Sequence, residues 1–400
     1  MISNKTTHVV TESLRPLDNA PIDRQALKIK VDNALQHITS RINRTLFALG
    51  DKFPNEACEG GKWQPAENNQ WTNSFWTGQL WLLWEMTGND KYRQAAERFI
   101  LSFAHRLANR IETDTHDLGF LYSLSCVNAW RLTGNTRARD IALHAAEMMM
   151  QRYNPTAGII QAWGDLTDPE QQGRMIIDCN MNLPLLYWAS EQTGNPAFAQ
   201  AALSHAMQAA KYIVRPDAST YHTYYMDVNT GEPRYGNTHQ GYSDNSCWAR
   251  GQAWGIYGFM LSYLYTGKTS LVDLTRSLSH YFINRLPEDF VCHWDLALVD
   301  TDAVRDSSAA AIAACGLLEL AKALPATDAH RMQYEECALH IIHSLTEHYL
   351  STHDESCEGL LMHSVYHMPA GKGVDECCSW GDYFYLEALI RVRQCWKPYW

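Results

Sequence analysis

Two aspartates in the sequence have the surroundings that acid–base chemistry requires. Asp178 follows the apolar run 175–177, and burial beside such a run raises the pKa of a carboxyl group toward the range of a general acid. Asp117 follows His116. If both aspartates line one pocket, an ionised Asp117 opposes ionisation of Asp178, and the pair divides into an anion and an acid. The alternative role for either is capping a helix N-terminus, where the helix dipole lowers its pKa.

Aromatic residues near these polar groups form the pattern of a sugar-binding site. Trp71, Trp163 and Trp254 are candidates, because ring faces stack on the C–H surfaces of a sugar while fixed polar groups orient its hydroxyls. The alternative for each tryptophan is packing in a core. Arg250 either binds a substrate carboxylate or pairs with a structural acid.

Other chemistries have weaker support in the sequence. The pairs His340/His343 and His363/His367 have loose metal-ligand spacing, but the first falls on a predicted outer helix and the second in a late loop. The sequence contains no GxGxxG, Walker-type, HExxH or GxSxG pattern. We therefore predict neither a metal nor a cofactor.

The chain repeats one pattern: an aromatic-rich apolar segment, a Thr-Gly turn, then an amphipathic segment. The turns begin at Thr87, Thr133, Thr193 and Thr266. Because glycine tolerates the left-handed conformation that ends a helix, each turn predicts a helical hairpin. The first helix of each hairpin is apolar on most faces and the second on one face, which predicts an inner and an outer helix.

Six inner and six outer helices in alternation predict an all-α fold, a closed (α/α)6 barrel. An open helical solenoid is the alternative, although its repeats would be more regular in length. We predict one domain over residues 1–400, with residues 1–20 as an extended arm and a strand-like stretch over 220–227. The predicted inner helices span residues 74–86, 118–132, 181–192, 249–265, 307–323 and 382–394; the outer helices span 91–108, 137–152, 197–214, 271–285, 330–349 and 22–48.

Polar and aromatic clusters precede the predicted inner helices. Since parallel inner helices begin at one rim of the barrel, these clusters are expected to converge on one pocket. The clusters lie at residues 69–73, 116–117, 178–180, 239–248, 306–308 and 379–382.

Composition excludes several classes of protein. The 400 residues are 46% hydrophobic and carry a net charge of −11, which is the wrong sign for a general nucleic-acid or anionic-membrane binder. No apolar run approaches the length of a membrane span. The 11 scattered cysteines suit buried reduced thiols. Because the first 25 residues lack the apolar stretch of a secretory signal, we expect a cytoplasmic protein.

Five phrases make the sequence closely resemble the unsaturated glucuronyl hydrolases of glycoside hydrolase family 88. The phrase that runs from His239 to Trp254, at the start of the fourth predicted inner helix, is highly specific. This family has an (α/α)6 barrel, in agreement with the helix count. The phrases are His116-Asp-Leu-Gly-Phe, Asp178-Cys-Asn-Met-Asn-Leu-Pro-Leu-Leu, His239-Gln-Gly-Tyr-Ser-Asp-Asn-Ser-Cys-Trp-Ala-Arg-Gly-Gln-Ala-Trp254, Asp306-Ser-Ser-Ala-Ala and Trp380-Gly-Asp-Tyr-Phe.

The resemblance implies an enzyme that hydrates the enol ether of a 4,5-unsaturated uronic acid at the non-reducing end of lyase-generated oligosaccharides. By the family pattern, Asp178 protonates C4 and deprotonates the water that adds to C5, and Asp117 is the second essential acid. The resemblance implies no metal or cofactor. It further implies that the sugar is bound by Trp71 through stacking, by His116, His222, Gln240, Arg250 and Trp254 in the first subsite, and by Trp163 at the next sugar.

Lys372 marks a departure from the family members that accept sulfated substrates. Those members can carry serines with a lysine in the loop before the last inner helix, whereas here the loop 367–372 lacks the serines. Lys372 is therefore a candidate to bind a sulfate; the alternative is that it is a solvated lysine with no binding role.

Three other functions remain open from the sequence. An unsaturated rhamnogalacturonyl hydrolase acting on pectin fragments shares the barrel, but the phrase from His239 to Trp254 argues against it. A sugar 2-epimerase shares the barrel but needs paired histidine acid–base groups, and a non-catalytic glycan-binding protein is excluded only by activity. We expect a monomer or homodimer that binds an unsaturated uronyl oligosaccharide, and no nucleic acid or membrane partner.

Overall fold

Helices make up most of the computed structural model, which describes residues 9–17, 19–299 and 301–400. A π-helical turn, Ser123–Val127, joins the helices Leu118–Tyr122 and Asn128–Thr133, and Pro184 begins a helix one residue after the helix Cys179–Asn182 ends. The helices are α1 (Arg24–Leu49), α2 (Asn73–Thr87), α3 (Asp90–Ala108), α4 (Leu118–Tyr122), α5 (Asn128–Thr133), α6 (Thr136–Met150), α7 (Cys179–Asn182), α8 (Pro184–Thr193), α9 (Pro196–Tyr212), α10 (Ala249–Thr266), α11 (Thr269–Ile283), α12 (Ser307–Ala323), α13 (Arg331–Ser344) and α14 (Ser379–Arg393).

The predicted Thr-Gly turns end helices. At the first turn, Gly88 adopts the left-handed conformation with φ 66°, which glycine reaches without steric cost. The Thr87 hydroxyl donates to the Leu83 carbonyl at 2.6 Å and accepts from the Asn89 N–H at 3.2 Å. The Asn89 side chain then caps α3. One turn therefore ends one helix and begins the next.

The inner helices form a closed ring. Helix α2 packs against α4, α4 against α7 and α8, and these two against α10. Helix α10 packs against α12, α12 against α14, and α14 returns to α2. The outer positions are taken by α3, α6, α9, α11 and α13, while α1 packs against α14. The predicted (α/α)6 barrel is confirmed, and the open solenoid is wrong because the last inner helix meets the first.

Burial separates the two rings of helices. Every residue of α10 from Ala249 to Ser262 is buried. In α9 the buried positions recur every three or four residues, as at Phe198, Ala202 and Ala206, and partly or fully exposed residues lie between them. The apolar pattern of each segment therefore predicted its layer.

Short antiparallel strands connect the helices at the rim. The strand Thr223–Met226 falls inside the strand-like stretch predicted at 220–227 and lies between the strands Arg174–Ile176 and Pro233–Asn237 in a three-stranded sheet. The strands are β1 (Phe53–Pro54), β2 (Pro65–Ala66), β3 (Tyr153–Asn154), β4 (Ile159–Ile160), β5 (Arg174–Ile176), β6 (Thr223–Met226), β7 (Pro233–Asn237), β8 (Ser364–His367) and β9 (Lys372–Glu376).

Part of the predicted N-terminal arm lies along α11. Residues 1–8 and 18 are outside the described residues. Within 9–17, the Val10 N–H donates to the Pro216 carbonyl at 2.7 Å, and Glu12 pairs with Arg285 at 2.8 Å. Residues 9–17 form neither a helix nor a strand.

The structure also bears on the membrane and cysteine predictions. Among the residues described, no helix has the length and apolar character to cross a bilayer. All eleven cysteines are free thiols, of which only Cys395 is exposed. The prediction of mostly buried, reduced thiols is confirmed.

Candidate active site

Local sheet contacts bring Asp117 and Asp178 together at the rim. The His116 N–H donates to the Ala162 carbonyl at 2.7 Å, which fixes the residue before Asp117. The Ile177 N–H donates to the His222 carbonyl at 3.1 Å, which fixes the residue before Asp178. Each aspartate then begins a helix, α4 and α7 respectively.

The helix-cap alternative fails for both of these aspartates. In the described chain, neither the Asp117 nor the Asp178 side chain accepts a hydrogen bond from its own helix. Asp306 does cap α12, accepting from the N–H groups of Ser308 at 3.1 Å and Ala309 at 3.3 Å. The side chains of Asp117 and Asp178 are therefore free for another role.

His116 lies between the two carboxylates. Its Nε2 is 3.4 Å from Asp117 Oδ1 and 3.3 Å from Asp178 Oδ1. The imidazole is fully buried, whereas the aspartate side chains remain 15% and 17% exposed. A molecule in the pocket can therefore reach the carboxylates but not the histidine beneath them.

The environment separates the pKa values of the two aspartates. Burial raises the pKa of Asp178, and the charge of Asp117 adds to this rise while His116 and Arg250 oppose it. Burial also acts on Asp117, but His116 and the hydrogen bonds from Thr115 and Asn182 outweigh it, so the pKa of Asp117 is lowered. The environment therefore makes Asp178 the more readily protonated of the two carboxyl groups and Asp117 the more readily ionised.

His116 supplies a positive charge to this pair. Burial alone would lower the pKa of His116, but Asp117, Cys179 and Asp178 reverse the effect and raise it well above the ordinary value. The imidazolium stabilises negative charge on whichever carboxylate is ionised.

The two carboxylates differ in their hydrogen bonds. Asp117 Oδ2 accepts from the Thr115 hydroxyl at 2.9 Å, and Asp117 Oδ1 from the Asn182 amide at 3.5 Å. Asp178 Oδ1 accepts no hydrogen bond of normal geometry from any residue described. Asp178 is thus the carboxyl group with fewer partners to hold it ionised.

An inner cavity of about 290 Å³ opens above this cluster. Eight of the ten predicted site residues line it, and His116 lies directly below. Asp117, Trp71 and Trp163 also face an outer cleft of about 910 Å³. The inner cavity is lined by Trp71, Asp117, Trp163, Asp178, His222, His239, Gln240, Trp248, Arg250, Trp254, Tyr366 and His367.

The aromatic walls are fixed by other rings. Trp71 stacks on Trp380 with ring centroids 5.2 Å apart, and its Nε1 donates to the Tyr366 hydroxyl at 3.2 Å. Trp163 meets the edge of His239 at 5.5 Å. Such rigid ring faces suit the C–H surface of a sugar.

Arg250, Gln240 and His222 form a polar wall. Arg250 Nη2 donates to Gln240 Oε1 at 3.2 Å. His222 Nδ1 accepts from the N–H groups of His239 at 3.0 Å and Gln240 at 3.2 Å, so its proton resides on Nε2. Burial lowers the pKa of His222 well below its usual value. The imidazole is therefore a neutral donor.

Lys372 is not among the lining residues of either cavity in the described chain. Its Nζ lies 2.8 Å from Glu56 Oε2, and it is 4.8 Å from the centre of the Tyr366 ring. Because Glu56 lines the outer cleft, Lys372 lies beside that cleft with its charge already paired.

Four lining residues were not among the predicted site residues: His239, Trp248, Tyr366 and His367. His239 and Trp248 stand in the specific phrase from His239 to Trp254, and His367 begins the loop that ends at Lys372. Their positions relative to a helix start were the available signal. Tyr366 had no such signal, because β8 reaches the cavity only through tertiary packing.

His116, Asp117 and Asp178 also have ligand atoms within 4.8 Å of one another, the spacing of a metal site. His116 Nε2 already lies at ion-pair distance from both carboxylates, which accounts for this grouping without a metal. The histidine pairs with loose ligand spacing have other contacts: His340 stacks on Phe290 at 4.6 Å, and His363 pairs with Asp375 at 2.6 Å.

Two neighbouring carboxyl groups with pKa values shifted in opposite directions, at the rim of an (α/α)6 barrel and facing an aromatic cavity, are the arrangement of a glycoside hydrolase. The sequence profile of Glycosyl Hydrolase Family 88 matches residues 49–392, and the chain belongs to this family.

Relatives with established names cover nearly the whole chain. The unsaturated chondroitin disaccharide hydrolase of Streptococcus pyogenes serotype M1 is 44% identical over 371 residues, 92% of each protein. The unsaturated glucuronyl hydrolase of Bacillus sp. strain GL1 is 44% identical over 358 residues, covering 89% of this chain and 95% of that protein. The crystal structure of the unsaturated glucuronyl hydrolase from Streptococcus agalactiae superposes with a TM-score of 0.94 at 42% identity, covering 98% of this chain and 99% of that one.

Proposed function

We propose that the protein is an unsaturated glucuronyl hydrolase. It releases a 4,5-unsaturated uronic acid from the non-reducing end of glycosaminoglycan-type oligosaccharides that polysaccharide lyases leave. The names of the relatives support this substrate class. The observation that carries the proposal is the buried cluster of His116, Asp117 and Asp178 at the base of the inner cavity.

Asp178 is the proposed acid and base. Its proton adds to C4 of the unsaturated ring, and positive charge develops at C5 and the ring oxygen. The Asp178 carboxylate formed in that step takes a proton from the water that adds to C5, which restores the acid. The resulting hemiketal opens, and rearrangement expels the remaining sugar. The raised pKa of Asp178 supports the first step, and the nearby Asp117 anion eases the positive charge.

The remaining predicted residues are proposed to bind the sugar. Trp71 stacks on the ring, and Asp117 accepts hydrogen bonds from its hydroxyls. Arg250, His222 and Gln240 present N–H donors toward one side of the cavity, where they suit the uronate carboxylate. The other binding assignments are Trp254 in the same subsite and Trp163 at the next sugar.

The decisive assay follows the ultraviolet band of the conjugated enol acid in an unsaturated chondroitin disaccharide. The wild-type protein is expected to abolish the band, and Asp178→Asn to bind the disaccharide but lose turnover. Asp382→Asn is the matched control, because Asp382 is also buried but bonds only to the N–H groups of Leu360 and Leu361 among described residues. Near-normal turnover by Asp178→Asn would overturn the acid assignment.

The same assay separates the rival functions. An epimerase or a glycan-binding protein leaves the band unchanged. An unsaturated rhamnogalacturonyl hydrolase consumes the pectin-derived substrate in preference to the chondroitin disaccharide.

We further propose that the second sugar is preferred without sulfate. The outer cleft carries more acidic than basic side chains, and Glu56 already pairs with Lys372. The net negative charge of the cleft therefore repels a sulfate group on the second sugar. The acidic lining residues are Glu56, Glu112, Asp114, Asp117 and Asp165, and the basic ones are Arg106, Arg110 and Arg152.

Glu56→Gln tests the sulfate proposal. Releasing Lys372 from its partner is expected to raise kcat/KM for a sulfated disaccharide by about 2–5-fold, the size of an exposed ion pair. The unsulfated substrate should change less. Lys372→Ala is the control, since it removes the cation and should give no gain. An equal effect on both substrates would contradict the proposal.

Three broader assignments are also proposed. We propose a single catalytic domain over residues 1–400, supported by one cluster of buried hydrophobic residues that extends from Leu27 to Trp400.

The free thiols favour a reducing, cytoplasmic location. A monomer or homodimer is the expected assembly, which light scattering would test.

A further inference from the structure

Arg250 is a buried cation whose close carboxylate partner, among the residues described, is Asp306. Asp306 Oδ2 lies 3.6 Å from Arg250 Nη1, and the side chains of Asp306 and Arg250 are 0% and 1% exposed. Two tryptophans enclose the guanidinium, Trp248 with its ring centre 4.4 Å away and Trp380 at 4.7 Å. Because water is excluded, this charge pair interacts strongly.

Arg250 is held by the backbone of β8 as well. Its Nη1 donates to the Val365 carbonyl, and its Nη2 donates to the Tyr366 carbonyl at 2.8 Å. These contacts leave Nη2 at the wall of the inner cavity, where it also reaches Gln240.

Asp306 anchors the same strand. Its Oδ1 accepts from the Val365 N–H at 3.3 Å and from the Ser308 hydroxyl at 2.6 Å, in addition to capping α12. The Ser308 hydroxyl accepts from Trp380 Nε1 at 2.9 Å. Asp306 Oδ2 accepts no hydrogen bond from the part of the chain that the structure describes. One carboxylate oxygen therefore builds the support for Arg250, and the other faces its charge.

We propose that Asp306 is a positioning residue for the reaction: it fixes the Arg250 guanidinium at the cavity wall and supplies a counter-charge that weakens the effect of this cation on Asp178. The inference rests on the proposed role of Asp178 as the acid. Asp306 itself does not line the cavity, so it acts through Arg250.

The charges around the two groups set the expected effect. Asp178 faces His116, Asp117 and Arg250. The groups around Arg250, besides Asp306 and Asp178, are Cys378 and Tyr366, whose raised pKa values keep them neutral, and His222 and His367, whose pKa values are lowered. Burial raises the pKa of Asp306, while Arg250 and the hydrogen bonds from Ser308, Val365 and Ala309 favour its ionised form. Loss of that charge leaves Arg250 less compensated, so its field lowers the pKa of Asp178 further.

Asp306→Asn tests this, because asparagine keeps the Oδ1 acceptor and the volume but removes the charge. The alkaline limb of the kcat–pH profile reports loss of the acid proton. It is expected to move about 0.5–1 pH unit toward lower pH. Asp306→Glu, which keeps the charge, should leave the limb in place even if kcat falls. Asp382→Asn, at a buried aspartate that does not face Arg250, should also leave it in place.

A second measurement covers the case in which Asp306→Asn folds poorly. The double variant Asp306→Asn/Arg250→Gln removes both charges, so it should unfold at a higher urea concentration than Asp306→Asn alone. The proposal would be overturned if folded Asp306→Asn kept the alkaline limb of its kcat–pH profile at the wild-type pH. It would also be overturned if the double variant were no more stable to urea than Asp306→Asn. If the wild-type protein leaves the enol band intact, the proposed function fails instead.

Discussion

At the scale of single residues, His116 is the group that makes two similar aspartates different. Its Nε2 is nearly equidistant from Asp117 and Asp178, so its charge alone does not distinguish them. The difference comes from the other partners, because Thr115 and Asn182 donate to Asp117. Added to a shared cation, those hydrogen bonds lower the pKa of Asp117, whereas burial raises the pKa of Asp178.

His116→Gln is predicted to move the alkaline limb of the kcat–pH profile upward. A cation near a carboxyl group lowers its pKa, so removing the imidazolium raises the pKa of Asp178 and the acid stays protonated to higher pH. We also expect kcat to fall by about 10²-fold because both carboxylates lose a common contact.

The control for this change is His205→Gln. His205 is equally buried, and its Nδ1 accepts from the Ile160 N–H at 2.8 Å, but it does not line the inner cavity. Its variant should keep the wild-type limb. A limb that moves downward in His116→Gln would contradict the charge assigned to His116.

At the scale of elements, the sequence predicted the helical hairpins and their layers but not most of the strands. Thr-Gly turns and the contrast between apolar and amphipathic helices are local signals, and α10 and α9 follow them closely. The three strands of the β5–β7 sheet have three to five residues each, too few for a period of two to emerge. That sheet nevertheless fixes Ile177 against His222 and so positions Asp178.

Gly119→Ala is predicted to disturb the contact between α4 and α7. A Cβ at Gly119 would lie 2.3 Å from the Cα and carbonyl oxygen of Asn182, and backbone cannot yield as a flexible side chain does. We expect about 1–3 kcal/mol of lost stability from overpacking. Because Asn182 contacts both Asp117 and the Asp178 carbonyl, kcat should fall as well.

Gly134→Ala is the comparison for Gly119→Ala. Gly134 has φ 71°, and a Cβ added there would meet no atom within 4 Å, so alanine costs about 1 kcal/mol of backbone strain. Its kcat should equal that of the wild type. Urea unfolding and turnover of both variants check the prediction, and an unchanged kcat in Gly119→Ala would show that the aspartates tolerate movement of α4.

At the scale of the whole molecule, the site depends on contacts that join distant parts of the chain. The His116, Asp117 and Asp178 cluster could be anticipated because each residue precedes a predicted inner helix. The pairing of Arg250 with Asp306 could not be predicted, because the two residues are 56 positions apart in the sequence. The sequence suited two partners for Arg250 equally well, a substrate carboxylate and a structural acid. Only the closed ring determines which side chains meet across the barrel.

Trp400 extends this dependence to the far side of the cavity. Its ring stacks on Phe384 with centroids 5.7 Å apart and meets the edge of Phe120 at 5.9 Å. Both phenylalanines contact Trp254 at 5.4 Å, and Trp254 lines the inner cavity. Trp400 is thus one layer of rings removed from the residue that binds the sugar in the proposed complex.

Trp400→Ala is predicted to weaken both the fold and substrate binding. Loss of a buried tryptophan costs about 3–5 kcal/mol of unfolding free energy, and the resulting space lets Phe120, Phe384 and then Trp254 shift, so KM should rise. Trp396→Ala is the control, since Trp396 is also buried but donates to Glu85 at 3.1 Å and lies outside this aromatic layer. It should lower the urea midpoint while KM stays at the wild-type value. A rise in KM of the same size in both variants would mean that general loosening, not the layer beneath Trp254, controls binding.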